Sequence, residues 1–110
     1  MNILFICSRN QWRSPTAEAI YKNSEGLRVK SAGTEPSARI KLTAGLIEWA
    51  DLIFVMEKKH KERLTSKFPD QTSAKTIIIL DIPDEYGYMD EELIASIKVS
   101  VSHYLAQYNA

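Results

Sequence analysis

The sequence begins with MNILFICSRNQWRSPTAEA (residues 1–19), a stretch that predicts a strand, a short loop and a helix in succession. Residues 2–7 end in five consecutive apolar side chains, a pattern typical of a strand that is covered on both faces of a parallel sheet. Ser14 followed by Pro15 favours a helix start, because Ser is a good N-cap and Pro at the first helical position gives up no hydrogen bond. Residues 8–13 therefore join a buried strand to the N-terminus of a helix.

Further strands and helices alternate along the rest of the chain. Apolar runs predict three more strands, at residues 27–31, 52–56 and 76–80. Helical periodicity predicts helices at residues 14–23, ahead of Gly26, and at residues 43–49, 57–68 and 90–108. The last helix carries an apolar stripe made of Ile94, Ile97, Val101, Leu105 and Tyr108. Such an alternation is typical of α/β proteins.

This pattern predicts a three-layer α/β sandwich, in which a four-stranded parallel sheet has helices on both faces. The first and third strands are the most apolar, so we place them at the centre and expect the strand order 2-1-3-4. That order creates a topological switch point beside the first strand, where α/β proteins bind ligands at the carboxyl ends of strands. Cys7 stands at this end of the strand. With 110 residues, the chain is expected to form a single domain over residues 1–110.

Charge and cysteine content limit the possible partners and location. Lys and Arg number 14, as do Asp and Glu, so no overall field favours nucleic acid or an anionic membrane as a partner. The single cysteine cannot build a disulfide framework and fits a reducing compartment. No apolar run approaches a signal-peptide core or the roughly 20 residues of a membrane span. We therefore expect a cytoplasmic protein with no nucleic-acid or membrane partner.

The loop after Cys7 has the chemistry of an anion-binding site. Backbone N–H groups in such a turn point the same way as the positive end of the helix dipole. Cys7, at the start of this loop, is a candidate nucleophile. Arg13, at the end of the loop, has a planar guanidinium group that can donate two hydrogen bonds to the oxygens of a phosphate-like anion. The alternative is that Cys7 is a small buried residue that ends a strand.

The other residues of the loop are expected to surround the anion. Asn10 tolerates the left-handed backbone of a tight turn, and the Ser14 hydroxyl can direct its proton at a thiolate. Trp12 fits either the core or the mouth of the site without a chemical role. The predicted anion-binding set is Ser8, Arg9, Asn10, Gln11, Trp12 and Ser14.

The segment CSRNQWRSPTAEA resembles the catalytic loop C-x-G-N-x-C-R-S-P-x-A-E of the low-molecular-weight protein tyrosine phosphatases. Three further segments follow in the order of that family: SAGT (31–34), ADLIFVMEKKH (50–60) and IPDEYGY (82–88). The resemblance implies hydrolysis of a phosphomonoester through a phosphocysteine at Cys7, without a metal or other cofactor. It also implies a phosphorylated substrate, either a phosphotyrosine protein or a small aryl phosphate.

A general acid is the other part that the resemblance supplies. Asp84 in IPDEY matches the Asp of the family's D-P-aromatic motif, and Tyr86 matches the aromatic residue. A leaving alkoxide or phenolate needs a proton, and the resulting carboxylate can then activate water. Asp81 is the rival acid, and a turn-forming role for Asp84 is a further alternative. Tyr86 and Tyr88 are candidates for lining the entrance, with ordinary half-buried packing as the alternative.

The sequence departs from the family pattern in four places. Arg9 replaces the loop Gly, Trp12 replaces a second loop Cys, and Glu85 replaces the Pro of the acid motif. Only 15 residues separate SAGT from ADLIF, far fewer than in typical family members. The missing segment supplies part of the cleft wall in the family, so selectivity for phosphotyrosine does not carry over directly.

Two other functions stay open at this point. An arsenate reductase with an internal relay needs further cysteines, so only a version that uses an external thiol fits this chain. A non-catalytic phosphate- or phosphopeptide-binding module would keep the anion site without turnover.

The two histidines do not suggest a metal site. We expect His60, within the charged run EKKHKER (57–63), to be solvated, and His103 to lie on the helix surface or the edge of the core.

Overall fold

Strands and helices alternate along the chain in a computed structural model that describes residues 1–108, without the side chain of Tyr108. The elements in chain order are β1 (Asn2–Cys7), α1 (Arg13–Tyr21), β2 (Arg28–Gly33), α2 (Ala44–Trp49), β3 (Leu52–Val55), α3 (Lys58–Lys67), α4 (Pro69–Thr72), β4 (Thr76–Ile79) and α5 (Glu91–Tyr108). The predicted place of Tyr108 on the apolar stripe concerns a side chain outside the described part. Within residues 1–108, no helix is both long and apolar enough to span a membrane.

The four strands form one parallel sheet in the order β2-β1-β3-β4, which confirms the predicted order. Phe5 at the middle of β1 pairs with Ser31 on one side and with Phe54 on the other. Every residue of β3 is buried, as are the last five of β1, whereas β4 at the edge is partly exposed. Continuous apolar runs therefore mark the central strands, as expected when helices cover both faces.

The sheet separates two apolar clusters. On one face Phe5 stacks on Phe54, with ring centroids 5.4 Å apart, and α1 and α5 cover them. On the other face Leu4 and Ile6 pack against Ile47 of α2 and other residues of α2 and α3. Burial of each such side chain contributes about 1.5–3 kcal/mol, so β1 is firmly anchored from both sides. The residue that ends β1, Cys7, is therefore held on a rigid element.

Several predicted helix boundaries differ from the structure by one or two residues, and two of these differences have an identifiable cause. The helix α1 begins at Arg13, with Trp12 at the N-cap position, so Ser14 is not the N-cap. The Ser14 hydroxyl is instead held by Cys7 and Asn10 inside the preceding loop. The helix predicted at residues 57–68 ends at Lys67, because Pro69 disfavours helical backbone at the residue before it and begins α4.

The apolar stripe of α5 also differs by one position from the prediction. Leu93 and not Ile94 is the first fully buried residue, followed by Ile97 and Val101. Leu105 is only partly buried. The helix thus presents the i, i+4, i+8 face that begins at Leu93 to the sheet.

Candidate active site

Residues 8–12 form a tight loop between β1 and α1. Asn10 has φ +55°, the left-handed conformation that the sequence led us to expect at this position. The backbone N–H groups of these five residues donate no hydrogen bond to any acceptor within residues 1–108. Unpaired amides ahead of a helix N-terminus are the feature that binds anions in many proteins.

Cys7 lies at the floor of a pocket of about 210 Å³ and is only 3% exposed. Seven of the predicted site residues line this pocket: Cys7, Ser8, Arg9, Gln11, Trp12, Arg13 and Asp84. Glu35 and Lys59 complete its lining. Asn10 and Ser14 are fully buried behind the pocket and do not line it.

A hydrogen-bond chain fixes the surroundings of the sulfur. Asn10 Nδ2 donates to Ser14 Oγ at 2.8 Å and to Ser31 Oγ at 2.9 Å. Ser14 Oγ lies 2.9 Å from Cys7 Sγ and 3.4 Å from the carbonyl oxygen of Ala32. Because Ser14 already accepts from Asn10, its own proton is available for the nearer acceptor, the sulfur. The sulfur of Cys7 therefore has a hydroxyl group within hydrogen-bond distance.

Arg13 is 2% exposed and held rigidly. Its Nη1 donates to Glu57 Oε2 at 2.9 Å and to the carbonyl oxygen of Ile82 at 2.8 Å. Within residues 1–108, its Nη2 donates no hydrogen bond, and the side chain lines the pocket. Nη1 is therefore anchored to the protein, whereas Nη2 is available to an anion.

Glu57 balances the charge of Arg13. Partial burial acts to raise the pKa of Glu57, but the hydrogen bond and charge of Arg13, together with Lys59, lower it below its ordinary value. Glu57 is consequently a carboxylate at neutral pH. It offsets the cost of keeping a guanidinium buried while no anion occupies the pocket.

Asp84 reaches the pocket, whereas the rival acid Asp81 does not. Asp84 is 52% exposed on its side chain and its Oδ1 lies 3.7 Å from Arg13 Nε. Asp81 has φ +56° and lines neighbouring surface depressions outside this pocket. Ile82 between them donates its backbone N–H to Met56 O, so the loop that carries Asp84 is tied to the end of β3.

The two tyrosines do not line the pocket. Tyr86 packs against the apolar cluster on the α5 face of the sheet. Tyr88 is exposed and borders a separate groove that shares only Gln11 with the pocket. The aromatic side chain at the mouth is Trp12, which is 46% exposed.

The short connection from β2 to α2 donates hydrogen bonds to carbonyl groups of the loop at residues 8–12. Arg39 donates from its backbone N–H to Arg9 O and from Nε to Asn10 O, both at 3.0 Å. Glu35 donates its N–H to Ser8 O, and its carboxylate pairs with the exposed Arg9 at 3.1 Å. The positive charge that Arg9 adds at the mouth is thereby largely offset.

His60 is fully buried, so its prediction as a solvated residue is wrong. Its Nε2 lies 2.8 Å from Ser8 Oγ, and its Nδ1 accepts the backbone N–H of Glu57 at 3.0 Å. Burial first, and then the charge of Arg13, lower the pKa of His60 to about 4. His60 and Leu64 are the two buried residues of α3. Their i, i+4 spacing could have indicated that His60 lies on the buried face of the helix, but the charged residues around it suggested a solvated face. The exposed His103 lies on α5, as expected.

No group of three or more His, Cys, Asp or Glu side chains within residues 1–108 is arranged to hold a metal ion.

The sequence and fold are similar to those of known phosphatases. The profile of the low molecular weight phosphotyrosine protein phosphatase family matches residues 2–45. A protein-arginine-phosphatase of Bacillus subtilis (strain 168) is 35% identical over 95 aligned positions, which cover 62% of this chain and 63% of that protein. The chain thus spans less than two thirds of the length of this curated relative.

Solved structures extend the similarity across almost the whole chain. The YwlE arginine phosphatase from Geobacillus stearothermophilus superposes with a TM-score of 0.73 at 24% identity, covering 98% of this chain and 96% of that one. The tyrosine phosphatase Wzb from Escherichia coli K30, solved in complex with phosphate, gives 0.77 at 22% identity and covers 96% of both chains. At these identities the superpositions establish the fold alone. The profile match covers the β1, loop and α1 segment and shows that this part of the chain is similar to the low molecular weight phosphotyrosine protein phosphatase family.

Proposed function

We propose that this chain is a cysteine-dependent phosphatase that hydrolyses phosphomonoesters, with phosphotyrosine or another aryl phosphate as substrate. The observation that carries the proposal is the placement of Cys7 Sγ at the floor of a pocket lined by Arg13 and Asp84, below a loop of unpaired amides. A thiol, a buried cation and an exposed acid around one cavity are the groups that phosphoryl transfer through sulfur requires. The match of residues 2–45 to the low molecular weight phosphotyrosine protein phosphatase profile supports the same reaction class.

The reaction has two displacement steps. In the first, the Cys7 thiolate attacks phosphorus, the S–P bond forms, and the bond from phosphorus to the leaving oxygen breaks. Asp84 gives its proton to that oxygen, while Arg13 and the loop amides hold the three equatorial oxygens. In the second step, water attacks phosphorus, the S–P bond breaks, and Asp84 takes the proton of the water. The thiolate is regenerated for the next cycle.

Ser14 supports both steps. Its hydroxyl oxygen lies 2.9 Å from the sulfur. From there it can donate to a thiolate and stabilise the anion as the nucleophile and again as the leaving group of the second step. A cytoplasmic location is part of this proposal, because a thiolate without a second cysteine to protect it depends on reducing surroundings.

Phosphoarginine is a second candidate substrate. A curated relative at 35% identity carries the name protein-arginine-phosphatase. In this chain the carboxylates of Glu35 and Asp84 line the pocket, so each can accept a hydrogen bond from the N–H groups of a guanidinium. The short connection from β2 to α2 leaves Trp12 as the exposed aromatic surface of the mouth, and this ring can stack on either a phenyl group or a guanidinium.

The experiment compares peptides of one sequence that carry phosphotyrosine, phosphoarginine or phosphoserine, beside para-nitrophenyl phosphate. We expect turnover of the aryl phosphates by the wild type and none by Cys7→Ser. Unchanged turnover in Cys7→Ser would eliminate the mechanism. A higher kcat/KM for the phosphoarginine peptide than for the phosphotyrosine peptide would identify phosphoarginine as the substrate. Tight phosphate binding with no turnover would identify a binding module. Arsenate consumption that depends on added thiol, without phosphatase activity, would identify an arsenate reductase.

A further inference from the structure

Ser8 and His60 meet beside the pocket although 52 positions separate them in the sequence. His60 Nε2 lies 2.8 Å from Ser8 Oγ, and the imidazole is completely buried. Ser8 follows Cys7 directly and lines the same pocket. The reaction described above assigns a role to neither side chain.

The hydrogen bonds of His60 determine where its proton is. Its Nδ1 lies 3.0 Å from the backbone nitrogen of Glu57, whose N–H can only donate. Nδ1 must therefore be unprotonated, and the single proton of the neutral ring is on Nε2. Since Nε2 is a donor, Ser8 Oγ is the acceptor of their hydrogen bond.

This assignment leaves the hydroxyl hydrogen of Ser8 free. Within residues 1–108, no other hydrogen bond involves the Ser8 side chain. Burial, aided by the charge of Arg13, lowers the pKa of His60 to about 4, so the ring is neutral at physiological pH and the donor direction persists. The free O–H thus belongs to a side chain that borders the place where an anion meets Cys7.

We propose that His60 is a positioning residue, which orients the Ser8 hydroxyl to donate a hydrogen bond to a non-bridging oxygen of the phosphoryl group above Cys7. The inference rests on the proposed phosphatase function and adds a side-chain donor to the backbone amides of the loop. A donor fixed in advance needs no reorganisation when the anion arrives, so it stabilises charge more than a freely rotating hydroxyl does.

A purely structural role for His60 makes a different prediction. His60 also accepts the Glu57 N–H at the start of α3, so it could serve only to fix that helix. Two amide variants separate the roles. In His60→Asn, the carbonyl oxygen replaces Nδ1 and keeps the Glu57 bond but cannot reach Ser8. In His60→Gln, the amide nitrogen replaces Nε2 and keeps the donor to Ser8.

The test measures kcat/KM for para-nitrophenyl phosphate and the dissociation constant of inorganic phosphate in Ser8→Ala, His60→Asn, His60→Gln and the double variant Ser8→Ala/His60→Asn. We expect Ser8→Ala and His60→Asn each to lower kcat/KM and weaken phosphate binding by about 10- to 100-fold. His60→Gln should lose less than His60→Asn. The double variant should lose no more than Ser8→Ala alone, because His60 acts through Ser8.

The proposal is overturned if His60→Asn causes the same loss in the Ser8→Ala background as in the wild type, or if Ser8→Ala changes neither quantity. Thermal unfolding midpoints separate misfolding from a functional loss, and His103→Asn on the exposed face of α5 is the matched control. A wild type that binds phosphate without hydrolysing it contradicts the phosphatase function alone, since the four dissociation constants still decide the role of His60. Absence of phosphate binding contradicts both.

Discussion

The Sγ atom of Cys7 lies 2.9 Å from the hydroxyl oxygen of Ser14, which is itself oriented by a donor from Asn10. Because the Asn10 amide nitrogen donates to the Ser14 oxygen, the proton of Ser14 is available to the sulfur. We expect Ser14→Ala to lower kcat for an aryl phosphate by about 10- to 100-fold, because a thiolate that loses a hydrogen bond is a poorer leaving group in the second step. The rate of alkylation of Cys7 by iodoacetamide at fixed neutral pH should fall as well.

The exposed Ser66 on α3 provides the control for this substitution. Ser66→Ala should leave both the turnover and the alkylation rate at wild-type values. Equal alkylation rates in the wild type and Ser14→Ala would show that the hydroxyl does not stabilise the sulfur anion.

Asp84 and Asp81 should respond differently to removal of their charge. We expect Asp84→Asn to lower kcat by about 10²- to 10⁴-fold for phenyl phosphate, a poor leaving group, and much less for para-nitrophenyl phosphate. The reason is that Asp84 lines the pocket and Asp81 does not. Asp81→Asn is the matched control and should retain activity with both substrates. A loss confined to Asp81→Asn would reassign the acid, and an equal loss with both leaving groups would exclude proton donation by Asp84.

The sheet could be predicted from the sequence because each strand is marked by an apolar run within a few consecutive residues. The apolar runs of β1 and β3 require cover on both faces, and their strand order followed from that requirement. The loop was predictable for a similar reason, since Cys7, Asn10 and Arg13 act within seven consecutive residues.

The errors concern side-chain contacts that the apolar periodicity of the sequence does not encode. Ser14 was expected to cap α1, but its hydroxyl is recruited by Cys7 and Asn10. His60 was expected in solvent because charged residues surround it, whereas Ser8 provides a buried partner from another element. Tyr86 was a candidate for the entrance with half-buried packing as the alternative, and it packs against the core. None of these pairings has a periodic signature in the sequence.

Gly33 is predicted to be essential for the shape of the loop. A Cβ atom at this position would lie 2.6 Å from both Ser8 O and Ala38 Cβ, closer than van der Waals contact permits. The β2 strand and the loop after Cys7 would have to separate, so we expect Gly33→Ala to lower the free energy of unfolding by about 1–3 kcal/mol and to reduce kcat.

Gly45→Ala is the matched control for this substitution. Its nearest atom to an added Cβ is Thr43 Oγ1 at 3.9 Å, and Gly45 lies within α2, so stability should stay equal or rise by up to about 1 kcal/mol. Denaturant unfolding and aryl phosphate turnover measure both variants. A Gly33→Ala protein with wild-type stability and activity would contradict the proposed close contact.

The buried neutral His60 should make the fold sensitive to acid. Its pKa is about 4 in the folded state, against an ordinary value of 6.5, so between these values the unfolded chain binds more protons than the folded one. This contribution to stability is complete above about pH 6.5 and is lost as the pH falls towards 4, by at most about 3 kcal/mol. The lowered pKa of Glu57 adds a further loss in the acid range of carboxylates. We therefore expect the free energy of unfolding of His60→Gln to fall less between pH 7 and pH 4.5 than that of the wild type.

Denaturant unfolding at each pH provides the comparison, with His103→Gln as the exposed-histidine control. Parallel pH dependences of the wild type and His60→Gln would show that His60 is not buried as a neutral ring.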